Sequence, residues 1–149
     1  MRAVVHRVLS ARVEVAGAVI GAIGPGLLVY LGVGRKDGQQ EPPWMARKIA
    51  GLRIFSDEKD RMSLSALDRR APVLVVSQFT LYGDVRKGRR PSFDAAAEPE
   101  QAERLYIETC QKMQEVGLQV ETGRFRSHMI VHAVVDGPVT ILIDSAREF

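Results

Sequence analysis

Val73-Leu74-Val75-Val76-Ser77-Gln78-Phe79-Thr80-Leu81 is the stretch that decides the class of fold. Its first four residues are apolar and three of them are β-branched, a run too short for a helix and suited to a compact buried strand. The run passes without a breaker into Ser77, Gln78 and Thr80, so polar groups emerge directly from the end of that strand. Residues 27–33 form a second near-continuous apolar run, suited to a central strand, and they follow the break Gly24-Pro25-Gly26.

Outward from this centre both ends of the chain read as β. Residues 3–9, 12–15 and 18–23 are β-branched and partly alternating, with Ala16-Gly17 as a turn signal before the third run. Residues 129–135 and 139–143 are two more strands on either side of Asp136-Gly137-Pro138, and residues 53–55 are a short one. Residues 56–68 read as a polar segment with a turn at 57–60. Two helices lie between. Pro42-Pro43 opens the first, in which Trp44, Met45, Lys48, Ile49 and Leu52 recur at helical spacing. Pro99 starts the longer one, with Ala102, Leu105, Tyr106, Thr109, Cys110, Met113 and Val116 on one face and Gly117 as its stop. No repeat, low-complexity tract or linker interrupts the pattern. The expectation is a single α+β domain over residues 1–149, β-rich, with curved, barrel-like sheets and two main helices.

Composition narrows the function. At 16.5 kDa, area scaling predicts that folding buries about two-thirds of the surface of the unfolded chain, enough for one core without staples. No stretch of 18 apolar residues exists to span a membrane, and charge breaks the N-terminal apolar run too early for a signal peptide, so a cytoplasmic protein is expected. The single cysteine, Cys110, excludes an internal disulfide and a multi-cysteine metal site, and its place on the helix stripe reads as a buried structural thiol. The net charge is only +3, but residues 83–92 hold Arg86, Lys87, Arg89 and Arg90 against Asp84, and the rest of the chain balances. A concentrated basic loop on a neutral body suits a local anionic ligand, because spread charges are screened within about 8–10 Å. A solvated loop is the plain alternative.

Familiar motifs fail. Gly83 to Arg89 has the glycine spacing of a phosphate loop, but Arg89-Arg90 stands in place of Lys-Ser/Thr. Gly24-Pro25-Gly26 lacks the third glycine of a dinucleotide fingerprint. His128 and His132 would pair on a helix, but on the strand read here they lie about 13 Å apart, so no metal site is expected. No Ser-His-Asp or Cys-His arrangement is visible.

Taken together and in order, Met1-Arg2-Ala3-Val4-Val5, Gly24-Pro25-Gly26-Leu27-Leu28, Ser77-Gln78-Phe79-Thr80, Arg89-Arg90-Pro91-Ser92-Phe93, Glu121-Thr122-Gly123-Arg124-Phe125 and Gly137-Pro138-Val139-Thr140 resemble the D-aminoacyl-tRNA deacylase family over almost the whole chain. The resemblance implies that family's fold and a homodimer with its active sites at the interface. It implies hydrolysis of the ester joining a D-amino acid to the terminal ribose of tRNA, without metal or cofactor. Gln78, Phe79 and Thr80 would then be catalytic, and Ser77, Met129, Gly137 and Pro138 would bind substrate, the last two inserted from the partner.

The backbone N–H groups at Phe79 and Thr80, with the Gln78 amide, are then expected to stabilise the oxyanion. Thr80 as nucleophile has no visible base, whereas the family resemblance implies that the 2′-hydroxyl of the RNA does the work; the two stand as alternatives. Phe79 as pocket wall and Phe79 as core aromatic likewise stay open. Gly137-Pro138 is expected to be cis and to exclude an L side chain, which leaves glycyl-tRNA, including that mischarged on tRNA-Ala, open to cleavage. Arg86, Lys87, Arg89 and Arg90 are expected to grip tRNA phosphates. The rival readings are a non-catalytic RNA-binding module and a generic dimeric esterase.

Overall fold

The computed structural model describes residues 1–148. In chain order the elements are β1 (Arg2–Val15), β2 (Ala18–Ile23), β3 (Gly26–Gly32), α1 (Glu41–Ala50), β4 (Phe55–Ser56), β5 (Met62–Leu64), α2 (Ala66–Arg69), β6 (Val73–Ser77), a 3-10 turn (Phe79–Tyr82), α3 (Pro99–Glu115), β7 (Val120–Thr122) and β8 (Ile130–Asp144). One sheet runs β2-β1-β3-β6-β7, with β8 also paired to β1, and β4-β5 is a small hairpin. The buried run at Val73–Ser77 is central, parallel to β3 on one side and to β7 on the other.

β1 is long enough to serve two neighbours. Its first half pairs antiparallel with β3, its second half with β2 after the Ala16-Gly17 turn, and β8 follows its other side past both. The two runs read separately in residues 3–15 are therefore one strand, as are the two in residues 129–143; both joins are marked by shifts of register.

Strand periodicity sorts the core into two layers. Ala3, Val5, Leu27, Val29, Leu31, Val73 and Val75 face the helices. The opposite parity of β3 and β6, Leu28, Leu74 and Val76, meets Val8, Ala11, Val13 and Ile23 inside the curl of the sheet. The curl nearly closes where β2 comes against β7: a Cβ on Gly21 would sit 2.6 Å from the Thr122 carbonyl oxygen, so this approach admits only glycine. A small α+β domain with a nearly closed, barrel-like sheet results.

α1 carries Pro42 and Pro43 in its first turn, after Glu41, and α3 begins on Pro99; each buries one stripe. In α3 it is Leu105, Tyr106, Thr109, Cys110 and Met113, and Gly117 follows at φ +101°. Cys110 is buried, which pushes its thiol up to about 12. In α1 the buried stripe is Met45, Ala46, Ile49 and Ala50 rather than the set containing Lys48, whose ammonium is exposed beside the half-buried Trp44 ring. The polar segment 56–68 carries β5 and α2, the latter started by a capping box in which Ser65 and Asp68 bond reciprocally.

Candidate functional site

The end of β6 turns sharply. Gln78 N–H still donates to Leu31 O at 2.8 Å, continuing the parallel ladder, and the chain then enters the 3-10 turn. Gly32 makes room for it, since a Cβ there would lie 2.8 Å from Gln78 O. Phe79 and Thr80 open the turn, so their N–H groups have no acceptor inside it. The Gln78 side-chain amide donates to the Thr80 hydroxyl oxygen, and among the described residues this is the only hydrogen bond recorded for that hydroxyl. Phe79 is 57% exposed and stacks edge-on against Phe93, with 5.0 Å between ring centroids.

A cavity of about 940 Å³ opens beside this turn. Leu31, Val33, Val76 and Tyr106 form its apolar floor, with Ser77, Gln78 and Phe79 on one wall. A strap at residues 93–98 forms the second, tied down by Arg35 N–H on Ala95 O (2.9 Å) and Ala97 N–H on Val33 O (3.0 Å). Residues 125–129 form the third, where Arg126 at φ +56° turns the chain back toward β8. Met129 packs so tightly on Gly123 that a Cβ there would be 2.6 Å from its sulfur. Burial raises the Tyr106 phenol above its ordinary range, and its hydroxyl donates to Val75 O at 2.8 Å.

The structure therefore gathers Ser77, Gln78, Phe79 and Met129 around one space, with Thr80 on the turn beside it. Phe79 stands at the wall and not in the core. His128, considered on one strand with His132, precedes β8 and lines the cavity, whereas His132 lies on β8 beside Glu14 at 3.0 Å.

Gly137 and Pro138 do not line this cavity. They sit where β1 advances from His6 to Val8 while β8 steps from Thr140 to Val135, so residues 136–139 stand out from the ladder. Their peptide bond is cis and both are exposed. Arg7, the single β1 residue opposite, supports this excursion: its Nε lies 2.7 Å from Asp136 Oδ2 as an ion pair, and its NH1 donates to Ile54 O at 2.6 Å. Sequence reading missed Arg7. Its signal is a guanidinium between His6 and Val8 that is only 13% exposed when folded.

The basic loop is a separate feature of the surface. Asp84 and Ser92 pair their backbones across its base at 2.8 and 2.9 Å. The Asp84 carboxylate receives Arg86 Nε and NH2, which holds it well below the usual carboxylate range and raises the guanidinium. Lys87, Arg89 and Arg90 are exposed and make no recorded ion pair among the described residues.

The family model described as D-Tyr-tRNA(Tyr) deacylase matches residues 4–144. A D-aminoacyl-tRNA deacylase of Symbiobacterium thermophilum is 57% identical over 149 residues, covering 100% of this chain and 99% of its own. One from Thermotoga petrophila is 55% identical, with 100% of each chain covered. Among solved structures, a c-Myc DNA Unwinding Element Binding Protein superposes with a TM-score of 0.93 at 42% identity, over 97% of this chain and 99% of that one. A probable eukaryotic D-amino acid tRNA deacylase reaches 0.82 at 16% identity, over 95% and 97%, a likeness of fold.

Proposed function

The chain belongs to the D-Tyr-tRNA(Tyr) deacylase family, and from that premise we propose that it hydrolyses the ester of D-aminoacyl-tRNA to free D-amino acid and tRNA. The observation that carries the reading is the cavity walled by Ser77, Gln78 and Phe79 at the end of the central strand, in a chain matched by such enzymes over its full length. An aminoacyl ester is already activated, so positioning and oxyanion stabilisation are what the protein must supply. The Phe79 and Thr80 N–H groups are the donors for the developing oxyanion, with the Gln78 amide oriented beside them.

The nucleophilic water is activated by the 2′-hydroxyl of the terminal ribose rather than by Thr80. Support comes from the Thr80 hydroxyl, which receives the Gln78 amide and has no recorded carboxylate or imidazole partner among the described residues. Thr80→Ala is expected to keep most of the activity and a terminal 2′-deoxyadenosine substrate to lose it; the reverse pair of results restores the threonine mechanism.

Chirality is read by Gly137-Pro138 of a second copy. The segment is exposed, stands out from β8 and lies away from its own cavity. Two further features favour pairing. The accessible surface is 8936 Å², against about 7,500 Å² expected for a compact monomer of this mass. The β8 strand also exposes Ile130, Val134, Val135 and Leu142. Because the filter acts against a side chain, glycyl-tRNA has nothing to exclude and is cleaved as well. Lys87, Arg89 and Arg90 hold phosphates of the acceptor end.

The deciding assay incubates the protein with D-tyrosyl-tRNA and L-tyrosyl-tRNA and follows ester loss. Selective loss of the D form is expected. Binding without hydrolysis would make the protein a nucleic-acid-binding module, and equal loss of both would make it an unselective esterase.

A further inference from the structure

The 3-10 turn at Phe79–Tyr82 is held from behind by groups that do not line the cavity. Arg2 NH1 donates to Leu81 O at 3.1 Å, and its guanidinium carbon stands 4.6 Å above the centre of the Tyr82 ring. The other side of the turn rests on the loop after β3. Gly34 has no side chain where a Cβ would come within 2.7 Å of two ring carbons and the hydroxyl oxygen of Tyr82, so the phenol lies directly on the Gly34 backbone.

The Tyr82 hydroxyl donates to Asp37 Oδ2 at 3.3 Å. That carboxylate is a hub: Gly34 N–H reaches the same oxygen at 2.6 Å, and the Met1 ammonium reaches Oδ1 at 2.6 Å. Met1 is fully buried and is held on its other side by the Ser145 hydroxyl oxygen and by Ser145 N–H on its carbonyl. The Asp37 carbonyl in turn receives the Gln101 side-chain amide of α3 at 2.7 Å. Burial and the Asp37 carboxylate both push the Tyr82 phenol up, so it stays a donor across the whole working range.

We propose that Arg2 and Asp37, acting through Leu81 and Tyr82, are positioning residues that fix the turn presenting the Phe79 and Thr80 N–H groups to the substrate. The inference rests on the reading of the site given above and names part of its machinery. At its two ends the turn is tied to its flanking residues by Leu81 N–H on Gln78 O, long at 3.4 Å, and by Gly83 N–H on Thr80 O at 2.9 Å. Phe79 and Thr80 are both exposed, and the ring contact recorded for Phe79 is the edge-on one with Phe93. An oxyanion donor displaced by a few tenths of an ångström loses much of its value, since its contribution depends on being in place before charge develops.

The test uses the full chain and three variants. Arg2→Lys keeps the charge but loses the planar fork, Asp37→Asn keeps the shape but loses the ammonium pair, and Tyr82→Phe removes only the hydroxyl. Lys36→Gln, an exposed neighbour in the same loop, is the control. Amide hydrogen exchange at Leu81 and Gly83 is expected to speed up about tenfold in Arg2→Lys and Asp37→Asn and less in Tyr82→Phe, with the amides of β1 and β3 unchanged. In steady-state assays with D-tyrosyl-tRNA, kcat is expected to fall about tenfold with KM within about twofold.

Unchanged exchange in the turn overturns the brace, as does exchange that rises equally throughout β1 and β3. A loosened turn with unchanged kcat overturns its role in the reaction. A wild-type protein inert toward D-aminoacyl-tRNA overturns the reading of the site and not the brace, which the exchange data decide by themselves.

Discussion

Arg7 shows how one side chain can hold a loop it does not belong to. Its guanidinium spans from Asp136, at the base of the excursion containing Gly137 and Pro138, to the Ile54 carbonyl ahead of the small hairpin. Arg7→Ala is expected to cost about 2 kcal/mol in stability, because Asp136 and a backbone carbonyl lose their partner together, measurable by urea unfolding. The same variant should discriminate less well between D- and L-tyrosyl-tRNA. Arg7→Lys should not restore discrimination, since a single ammonium cannot reproduce the fork. His6 makes a second prediction, about pH. Burial lowers its pKa from the ordinary imidazole value of 6.5, so the unfolded chain takes up a proton before the folded one does. Stability is thus unaffected by His6 above that value and declines as pH falls through it. In His6→Gln, thermal unfolding followed between pH 7.5 and 5.5 should show a shallower decline, and an unchanged slope would assign the decline to other groups.

At the scale of elements, the closure of the sheet turns on contacts between backbones. Gly21→Ala drives a methyl group toward the Thr122 carbonyl, and β2 must move off β7 to relieve it. A loss of about 1–3 kcal/mol is expected, with faster amide exchange in β2 and β7 ahead of α3. Ser65→Ala removes one half of the capping box of α2 and should cost about 1 kcal/mol with no change in kcat.

The same elements show what a single sequence makes legible. The central strands, both helices and the Ala16-Gly17 turn follow from period and punctuation, because hydrophobic patterning records which face meets the core. The union of residues 3–9 and 12–15 into β1 does not, since the bulge that links them is set by pairing with β8. β7 is three half-buried residues given their structure by β6 beside them. α1 hides its stripe because alanines, Ala46 and Ala50, do the packing that larger apolar residues announce elsewhere. At the site, Ser77 to Thr80 stood out as polar groups at a buried strand end. Arg7, Asp37 and Tyr82 did not, because their partners lie 129, 36 and 45 residues away along the chain.

For the whole molecule, charge and shape both point to partners. The +3 excess sits in the loop at residues 83–92, and the Asp84–Arg86 pair leaves Lys87, Arg89 and Arg90 to carry it. Replacing those three with glutamine should weaken binding to every tRNA alike and reduce the slope of log K against log salt by about 2–3, whereas a loss confined to one tRNA would indicate base reading. Pairing makes a separate prediction. If each site joins Ser77–Thr80 of one copy to Gly137-Pro138 of the other, a chain disabled at Phe79 and a chain disabled at Gly137 should rescue one another on mixing. Random exchange leaves one intact site in each hybrid and restores about a quarter of full activity. No recovery after verified subunit exchange would confine the site to one chain. The open edge of β8 reaches beyond the site itself. It is a fifteen-residue strand with Ile130, Val134, Val135 and Leu142 in solvent. If two copies pair along this edge, a newly made chain carries it bare until it meets another copy, and a bare edge is a template for any strand it encounters. On that pairing, maturation would include a bimolecular step in competition with aggregation, and the yield of active protein would depend on how quickly sister chains are made near one another.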